Sequence, residues 1–180
     1  MAIRTKDISP EDSIVEQLAE FIMESETHFA QSSKEAVDRF APYLQTKTVV
    51  DLGCGDGASV PFFNGHGVEV VGVDVNELKL SKNPTKTIHS DIVSYLKKNN
   101  HIPNIFCHHA LEHLPNPQKV LDLISKKLDG KLYIEVPAND EVHSVHHASF
   151  DSPEDLLPKG FKFLERGISQ DELYIIAERI

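Results

Sequence analysis

Apolar residues recur along this chain with two periods, and the period tells helix from strand. Behind Ser9-Pro10-Glu11-Asp12, which offers an N-cap, a proline at the first helical position and acids in the first turn, Ile14, Leu18, Phe21 and Ile22 follow at helical spacing. Ala36, Val37, Phe40 and Leu44 predict a second helix. From Val49 onward short β-type runs take over: Val49-Val50-Asp51-Leu52, Val68-Glu69-Val70-Val71-Gly72-Val73-Asp74, Thr85-Lys86-Thr87-Ile88-His89, Asn104-Ile105-Phe106-Cys107-His108 and Leu132-Tyr133-Ile134-Glu135-Val136. Between them lie a short helix from about Ala58 to Asn64, ended by Gly65-His66-Gly67, and a helical stretch around Ile92 to Lys97. Little helix is expected between Asp74 and Thr85. Asn116-Pro117 starts a longer helix with Val120, Leu121, Ile124 and Leu128 as its buried stripe and Asp129-Gly130 as its stop. Ser152-Pro153-Glu154-Asp155 repeats the capping pattern before a short helix. Phe161-Lys162-Phe163-Leu164-Glu165 and Glu172-Leu173-Tyr174-Ile175-Ile176-Ala177 read as a closing antiparallel hairpin joined by Gly167 to Asp171.

The first strand runs directly into Gly53-Cys54-Gly55-Asp56-Gly57, with glycine at every second position. Glycine there lets the backbone turn sharply off a buried strand and lie against a ligand, because no Cβ blocks positive φ or close approach. A nucleoside-bearing ligand is the expected guest. The dinucleotide fingerprint reads G-x-G-x-x-G, whereas Ala58 and Ser59 supply no glycine at its third position. A Gly-rich turn that binds nothing is the plain structural alternative. Asp74 ends the second strand about twenty residues beyond the first glycine, where an α/β sheet sets a carboxylate on ribose hydroxyls, although an aspartate there also serves simply to end a strand. Asp91 closes the third run and can accept from an adenine amino group, with the Ile92 N–H donating to a ring nitrogen; it would equally cap the helix that starts at Ile92.

A chain of 180 residues fits one domain, with no room for a separate substrate domain. Hydrophobic residues at 40% and charged residues at 26% are ordinary for a globular protein. The formal net charge of −10 argues against a broad nucleic-acid footprint, which needs clustered Lys and Arg on phosphates. Lys126, Lys127 and Lys131 lie close together, at the C-terminal end of a helix whose dipole they complement. The start of the chain lacks the apolar core of a signal peptide, and no run approaches the roughly 18 apolar residues of a membrane span. A cytoplasmic protein is expected, with Cys54 and Cys107 as free, small apolar residues.

In the order and spacing of these motifs the chain, from about Thr46 to its end, resembles the class I S-adenosylmethionine-dependent methyltransferases. The glycine turn is similar to that family's first motif, Asp74 to its acidic second motif and Asp91 to its adenine-side third. His109-Ala110-Leu111-Glu112-His113-Leu114-Pro115-Asn116-Pro117 resembles the segment after strand four in the small-molecule branch that includes ubiquinone and menaquinone biosynthesis enzymes. His146-His147-Ala148-Ser149-Phe150 looks like a His-x-x-x-Phe segment of the same branch. The resemblance implies a Rossmann-like seven-stranded mixed sheet, parallel except for a C-terminal antiparallel hairpin, with helices on both faces. It implies S-adenosylmethionine as cofactor, bound by Asp51, Gly53, Cys54, Gly55, Gly57, Asp74, Val75, Asp91, Ile92 and His109. Residues 46–180 would form the cofactor-binding core and the helices of residues 1–45, with His28 and Phe29, a lid. The Asn/Asp-Pro-Pro-aromatic signature of base- and amide-methylating members is absent: after strand four this chain reads His108-His109.

Ligands of open parallel sheets bind at the carboxyl ends of the strands, and the histidines gather there. His108, His109 and His113 follow strand four; His143, His146 and His147 follow strand five. Three readings remain. His109 or His146 takes the acceptor's proton during methyl transfer; the imidazoles hold a metal, although His143-x-x-His146-His147 is no recognised ligand signature, so no metal is assigned; or they are loop and packing residues. Glu135, inside strand five, reaches the cleft or makes a structural hydrogen bond. The function expected is methyl transfer to a small molecule at oxygen, nitrogen or carbon. The alternatives are a non-catalytic cofactor-binding partner subunit and an NAD-dependent oxidoreductase. Acceptor and oligomeric state are not encoded in any motif.

Overall fold

The computed structural model describes residues 30–138 and 147–180. The helix expected from Ile14 to Ile22, and His28, Phe29, His143 and His146, lie outside the described residues.

The strands are β1 (Thr48–Leu52), β2 (Glu69–Asp74), β3 (Lys86–His89), β4 (Ile105–His108), β5 (Lys131–Pro137), β6 (Phe161–Ser169) and β7 (Glu172–Arg179). They form one seven-stranded sheet in the order β3-β2-β1-β4-β5-β7-β6. The first five are parallel, while β7 runs antiparallel to β5 and to β6. The chain winds outward from β1 to β3 and then returns to place β4 on β1's other side, so the strand order reverses between β1 and β4. Such a reversal opens a crevice at the carboxyl ends of the two strands, where ligands of open α/β sheets bind.

Helices cover both faces. On one side α1 (residues 30–40) and α2 (Val60–Gly65) bury Ala36, Val37, Phe40 and Phe63 against Val49, Val70, Phe106 and Tyr133. On the other, α4 (Ile92–Lys98) and α5 (Pro117–Lys127) bury Leu96, Val120, Leu121 and Ile124 against Val50, Leu52, Ile105 and Ile134. The period of two along β1 sends Val49 and Asp51 to one face and Val50 and Leu52 to the other, which brings a carboxylate to the end of an otherwise apolar strand. Asn116 caps α5 by accepting from the Lys119 N–H at 3.0 Å, with Pro117 at the first turn, as its sequence predicts. Leu128 is buried, as expected of the stripe, yet already extended, since it bridges to Ile102 beside the sheet.

Between Asp74 and Thr85 little helix forms, as expected: α3 (Glu77–Leu80) has four residues, capped by the Asn76 side chain, and only Leu80 is buried, so that flank is thinly covered. One local expectation needs correction. The closing hairpin is longer than expected. Gly167 belongs to β6 and faces Tyr174, whose hydroxyl would stand 3.0 Å from a Cβ there, and the turn is only Gln170 and Asp171, both at positive φ. Among the described residues no helix is long and apolar enough to cross a membrane.

Candidate active site

The carboxyl ends of β1, β2 and β4, the starts of α2 and α4, and the first turn of α1 surround one cavity of about 550 Å³, within the roughly 300–1,000 Å³ of small-molecule sites. The glycine turn forms its centre. Gly53 has φ 81° and Gly57 φ 90°. A Cβ on Gly53 would lie 2.4 Å from that of Ala110, and one on Gly57 2.6 Å from the Asn83 side-chain oxygen. Both therefore need glycine for conformation and for space. Asp74 secures the turn: its Oδ2 accepts from the Gly55 N–H at 2.9 Å and its Oδ1 from the Asn76 N–H at 2.7 Å. Each oxygen keeps lone-pair capacity for hydroxyls in the cavity it lines. Asn83, which no sequence pattern singled out, donates to the Gly55 carbonyl at 3.2 Å and accepts from the Thr85 N–H.

Asp51 is buried under α2, where the Ser59 hydroxyl donates to its Oδ2 at 2.5 Å. Burial pushes its pKa up to about 7; the nearby charge of Asp74 adds to this and the Ser59 hydrogen bond opposes it. Among the described residues no cationic side chain pairs with it, so this carboxylate fits an incoming ammonium group. At the far end Asp91 caps α4, its Oδ1 accepting from the Ser94 N–H at 2.8 Å, and the residue lines the cavity beside Ile92 and Val75. Hydrogen bonding from Ser94 holds its carboxyl below the usual range. Val75 is 62% exposed, an apolar face at the open edge. Cys54 and Cys107 are free and buried; Cys54 lines the cavity, and burial pushes its thiol far up, which makes it inert.

The other end is built by β4, β5 and β7. His109 leaves β4 with φ 51°, its N–H still donating to the Glu135 carbonyl at 3.0 Å. That left-handed conformation, uncommon for a side-chain-bearing residue, directs the imidazole into the cavity between two carboxylates. Glu112 Oε1 lies 3.4 Å from Nδ1 and Glu172 Oε1 3.4 Å from Nε2. Burial works against protonation of His109, but Glu112 and Glu172 outweigh it and its pKa is raised. Glu172 is pushed up to about 7, chiefly by burial and also by Glu135 and Glu112, with His109 opposing. Among the described residues, both carboxylate oxygens of Glu112 and Oε2 of Glu172 are buried without a hydrogen-bond partner.

Behind them His108 is buried, its Nε2 3.2 Å from Glu135 Oε1 and 3.0 Å from the Ser32 hydroxyl. Glu135 Oε2 accepts from Arg39 at 2.8 Å and from the Tyr133 hydroxyl, and Arg39 lies over the Tyr174 ring. Burial disfavours the charge on Glu135, yet the hydrogen bond from His108, that from Tyr133 and the Arg39 guanidinium hold its carboxyl below the usual range. His108 itself is pushed down, mainly by burial. A neutral His108 with its hydrogen on Nε2, donating to an anionic Glu135, satisfies both.

Of the expected histidines, His108, His109 and His113 line the cavity. His147 is exposed and contributes its backbone, donating to the Glu112 carbonyl at 2.8 Å. Sequence reasoning missed Ser32, Arg39, Asn83 and Glu172. Glu172 carried a usable signal. The final strand is antiparallel, so its first residue returns to the carboxyl edge of the sheet, opposite Pro137.

A family model described as a methyltransferase domain matches residues 25–166. The ubiquinone biosynthesis O-methyltransferase of Coxiella burnetii is 29% identical over 147 residues, which cover 75% of this chain; the chain spans 63% of the length of that relative. A SAM-dependent methyltransferase from Archaeoglobus fulgidus shares the fold with a TM-score of 0.67 at 20% identity, over 83% of this chain and 94% of its own. The magnesium protoporphyrin IX methyltransferase of Synechocystis PCC 6803, solved with bound SAM, does so with a TM-score of 0.64 at 17% identity, over 84% and 80%. The chain belongs to the methyltransferase-domain family and has the fold of its S-adenosylmethionine-dependent members.

Proposed function

We propose that the protein transfers a methyl group from S-adenosylmethionine to a small molecule, with the cofactor along the glycine turn and the acceptor between that turn and His109. The observation that carries this reading is the meeting, in one cavity, of a glycine turn fastened by Asp74 with a buried carboxylate, Asp51, that has no cationic side chain of its own among the described residues. Asp51 and the Gly53 carbonyl suit the amino-acid end of the cofactor, Asp74 its ribose hydroxyls, and Asp91 with the Ile92 N–H its adenine. Cys54, Gly55, Gly57 and Val75 supply close, uncharged wall.

The bound cofactor supplies a methyl on a sulfonium sulfur: the acceptor's lone pair forms the new bond to carbon, the carbon–sulfur electron pair stays on sulfur, and S-adenosylhomocysteine remains. The donor is already activated, so the chain's own work is positioning, exclusion of water and handling of one proton. His109 stands where that proton leaves, held by Glu112 and Glu172 on its two nitrogens. His146 is the second imidazole proposed to serve there. The segment preceding residue 45 acts as a lid; Ser32 and Ser33 of α1 form part of the cavity wall.

An acceptor end lined by Glu112 and Glu172, in a chain of net charge −10, suits neutral or cationic small acceptors and not a nucleic-acid backbone. The likeness to an O-methyltransferase makes hydroxyl acceptors, phenols first, the leading class. The test is incubation with S-adenosylmethionine and a panel of phenols, amines and carbon acids, with S-adenosylhomocysteine release as readout. Acceptor-dependent release lost in His109→Ala supports the reading. Cofactor binding with no release across all three classes contradicts it and favours a non-catalytic partner subunit.

A further inference from the structure

We propose that Asn83 is a positioning residue for the cofactor: it fixes the Gly55–Asp56 peptide so that the Asp56 N–H points into the cavity as a hydrogen-bond donor. The inference rests on the reading that the cofactor lies along the glycine turn. Asn83 stands in the loop between α3 and β3 and is not part of the cavity wall. Its Nδ2 donates to the Gly55 carbonyl at 3.2 Å and to Cys54 Sγ at 3.4 Å, and its Oδ1 accepts from the Thr85 N–H at 3.1 Å. The Thr85 N–H can only donate, so it sets the amide's orientation, oxygen toward Thr85 and nitrogen toward Gly55. The Gly55 N–H is taken by Asp74 Oδ2 at 2.9 Å. Both polar groups of Gly55 are thus held by side chains from outside the turn.

The peptide needs such a hold because Gly55, at φ 52°, carries no Cβ to choose among its orientations. Asn83 chooses by drawing the carbonyl beneath the turn. In a trans peptide the C=O and N–H point to opposite sides, so the Asp56 N–H points away from Asn83, toward the side on which Gly55 and Asp56 line the cavity. The other amides of the turn are spent within the protein. Those of Gly53 and Cys54 donate to the Val73 carbonyl at 2.8 and 3.2 Å, that of Gly57 to the Cys54 carbonyl at 3.0 Å, and that of Gly55 to Asp74. Among the described residues the Asp56 N–H alone, of residues 53–57, has no acceptor. It is the donor left for an oxygen of the cofactor.

The chain gives up side chains to seat Asn83. A Cβ on Gly57 would lie 2.6 Å from Asn83 Oδ1 and 2.9 Å from Pro84 Cδ. One on Gly72, in the middle of β2, would lie 2.6 Å from Cys54 Sγ and 3.4 Å from Asn83 Nδ2, and glycine inside a strand marks such a close approach. The Asn83 N–H donates to the Leu80 carbonyl at 3.1 Å, and Pro84 restricts the backbone before it. The amide is therefore set before a ligand arrives, and a preorganised contact loses less freedom on binding.

The experiment is calorimetric titration of the full chain with S-adenosylhomocysteine, comparing the parent with Asn83→Asp and Asn83→Ser, beside urea denaturation of each. Asn83→Asp keeps the size and the oxygen that accepts from Thr85 but sets a carboxylate oxygen against the Gly55 carbonyl; Asn83→Ser is too short to reach it. Asn83→Asp should raise the dissociation constant about tenfold or more, and Asn83→Ser by about three- to tenfold. Titrations are run where the denaturation curves show each variant fully folded, so an asparagine that only stabilises the fold leaves the constant unchanged. Amide exchange in the parent, followed by NMR, needs no variant: the Asp56 N–H is expected to exchange readily alone and to be protected once S-adenosylhomocysteine is bound. Unchanged constants in both variants, or an Asp56 amide equally exposed with and without ligand, overturn the role of Asn83 and leave cofactor binding standing. A parent that does not bind S-adenosylhomocysteine overturns the cofactor reading itself, and the role of Asn83 with it.

Discussion

The N–H of Gly55 donates to Oδ2 of Asp74 at 2.9 Å, so the carboxylate expected to meet a ribose is also the fastening of the turn beneath it. Ligand contact and turn conformation are coupled through one side chain. Asp74→Ala removes two backbone hydrogen bonds as well as the ligand contacts. Each such bond to a charged group is worth about 1.5–3 kcal/mol, so the dissociation constant for S-adenosylhomocysteine should rise by about 10- to 100-fold or more. Calorimetry measures this directly; an unchanged constant would show that the carboxylate does not hold the ligand.

Asp51 sets a pH dependence. Its ordinary value is 3.8 and its value in the folded, ligand-free protein is about 7. Between about pH 4 and pH 7 the folded state therefore keeps a proton that the unfolded chain has released, so stability falls as pH rises across that window. An ammonium needs the ionised carboxylate, so cofactor affinity rises over the same range and levels off above about pH 7. Asp51→Asn should abolish the rise in affinity while stabilising the ligand-free protein at pH 8, by an amount on the order of 1–4 kcal/mol. Urea denaturation at two pH values beside a binding isotherm checks both signs, and a variant less stable than the parent at pH 8 would count against a strained Asp51.

Arg39 is 19% exposed at its side chain and Glu135 5%. Breaking such a pair leaves a charge without compensation, a loss of about 3–5 kcal/mol when fully buried. Arg39→Met should destabilise the fold by roughly 2–3 kcal/mol, less than the full figure because water reaches the guanidinium side. Adding Glu135→Gln should recover part of it. Chemical denaturation of the two single variants and the double variant tests this, and additive effects would show that the two residues do not interact.

The lid reading predicts slower amide exchange in α1 once S-adenosylmethionine or S-adenosylhomocysteine is bound, because Ser32 and Ser33 belong to the cavity wall. Exchange by mass spectrometry with and without ligand decides it. Identical exchange in residues 30–40 in both states would remove the lid.

What could be read from the chain in advance follows from how local each signal is. The strands, the glycine turn and Asp74 are legible because each depends on neighbours in sequence: an apolar run, a positive φ, an acid at a strand end. Asp91 reads two ways in the sequence because both roles, cap and cavity wall, belong to the same position. The acceptor end resists such reading. Glu172 meets His109 only because the last strand reverses direction and returns beside β5. Arg39 looks like the solvated side of a helix until Glu135 and Tyr133 are placed beneath it. The length of β6 is hidden for another reason: Gln170 and Asp171 make a tight turn with positive φ without any glycine, while Gly167, the residue that looks like the turn, serves a cross-strand contact.

The central claim, a cavity shaped for S-adenosylmethionine, is tested most directly by calorimetric titration of the metal-free protein with S-adenosylmethionine, S-adenosylhomocysteine and NAD, with Asp74→Ala alongside. One equivalent of each of the first two is expected, bound about 10- to 100-fold more weakly or worse by the variant, and no binding of NAD. Binding of NAD in their place, or of none of the three, would contradict it.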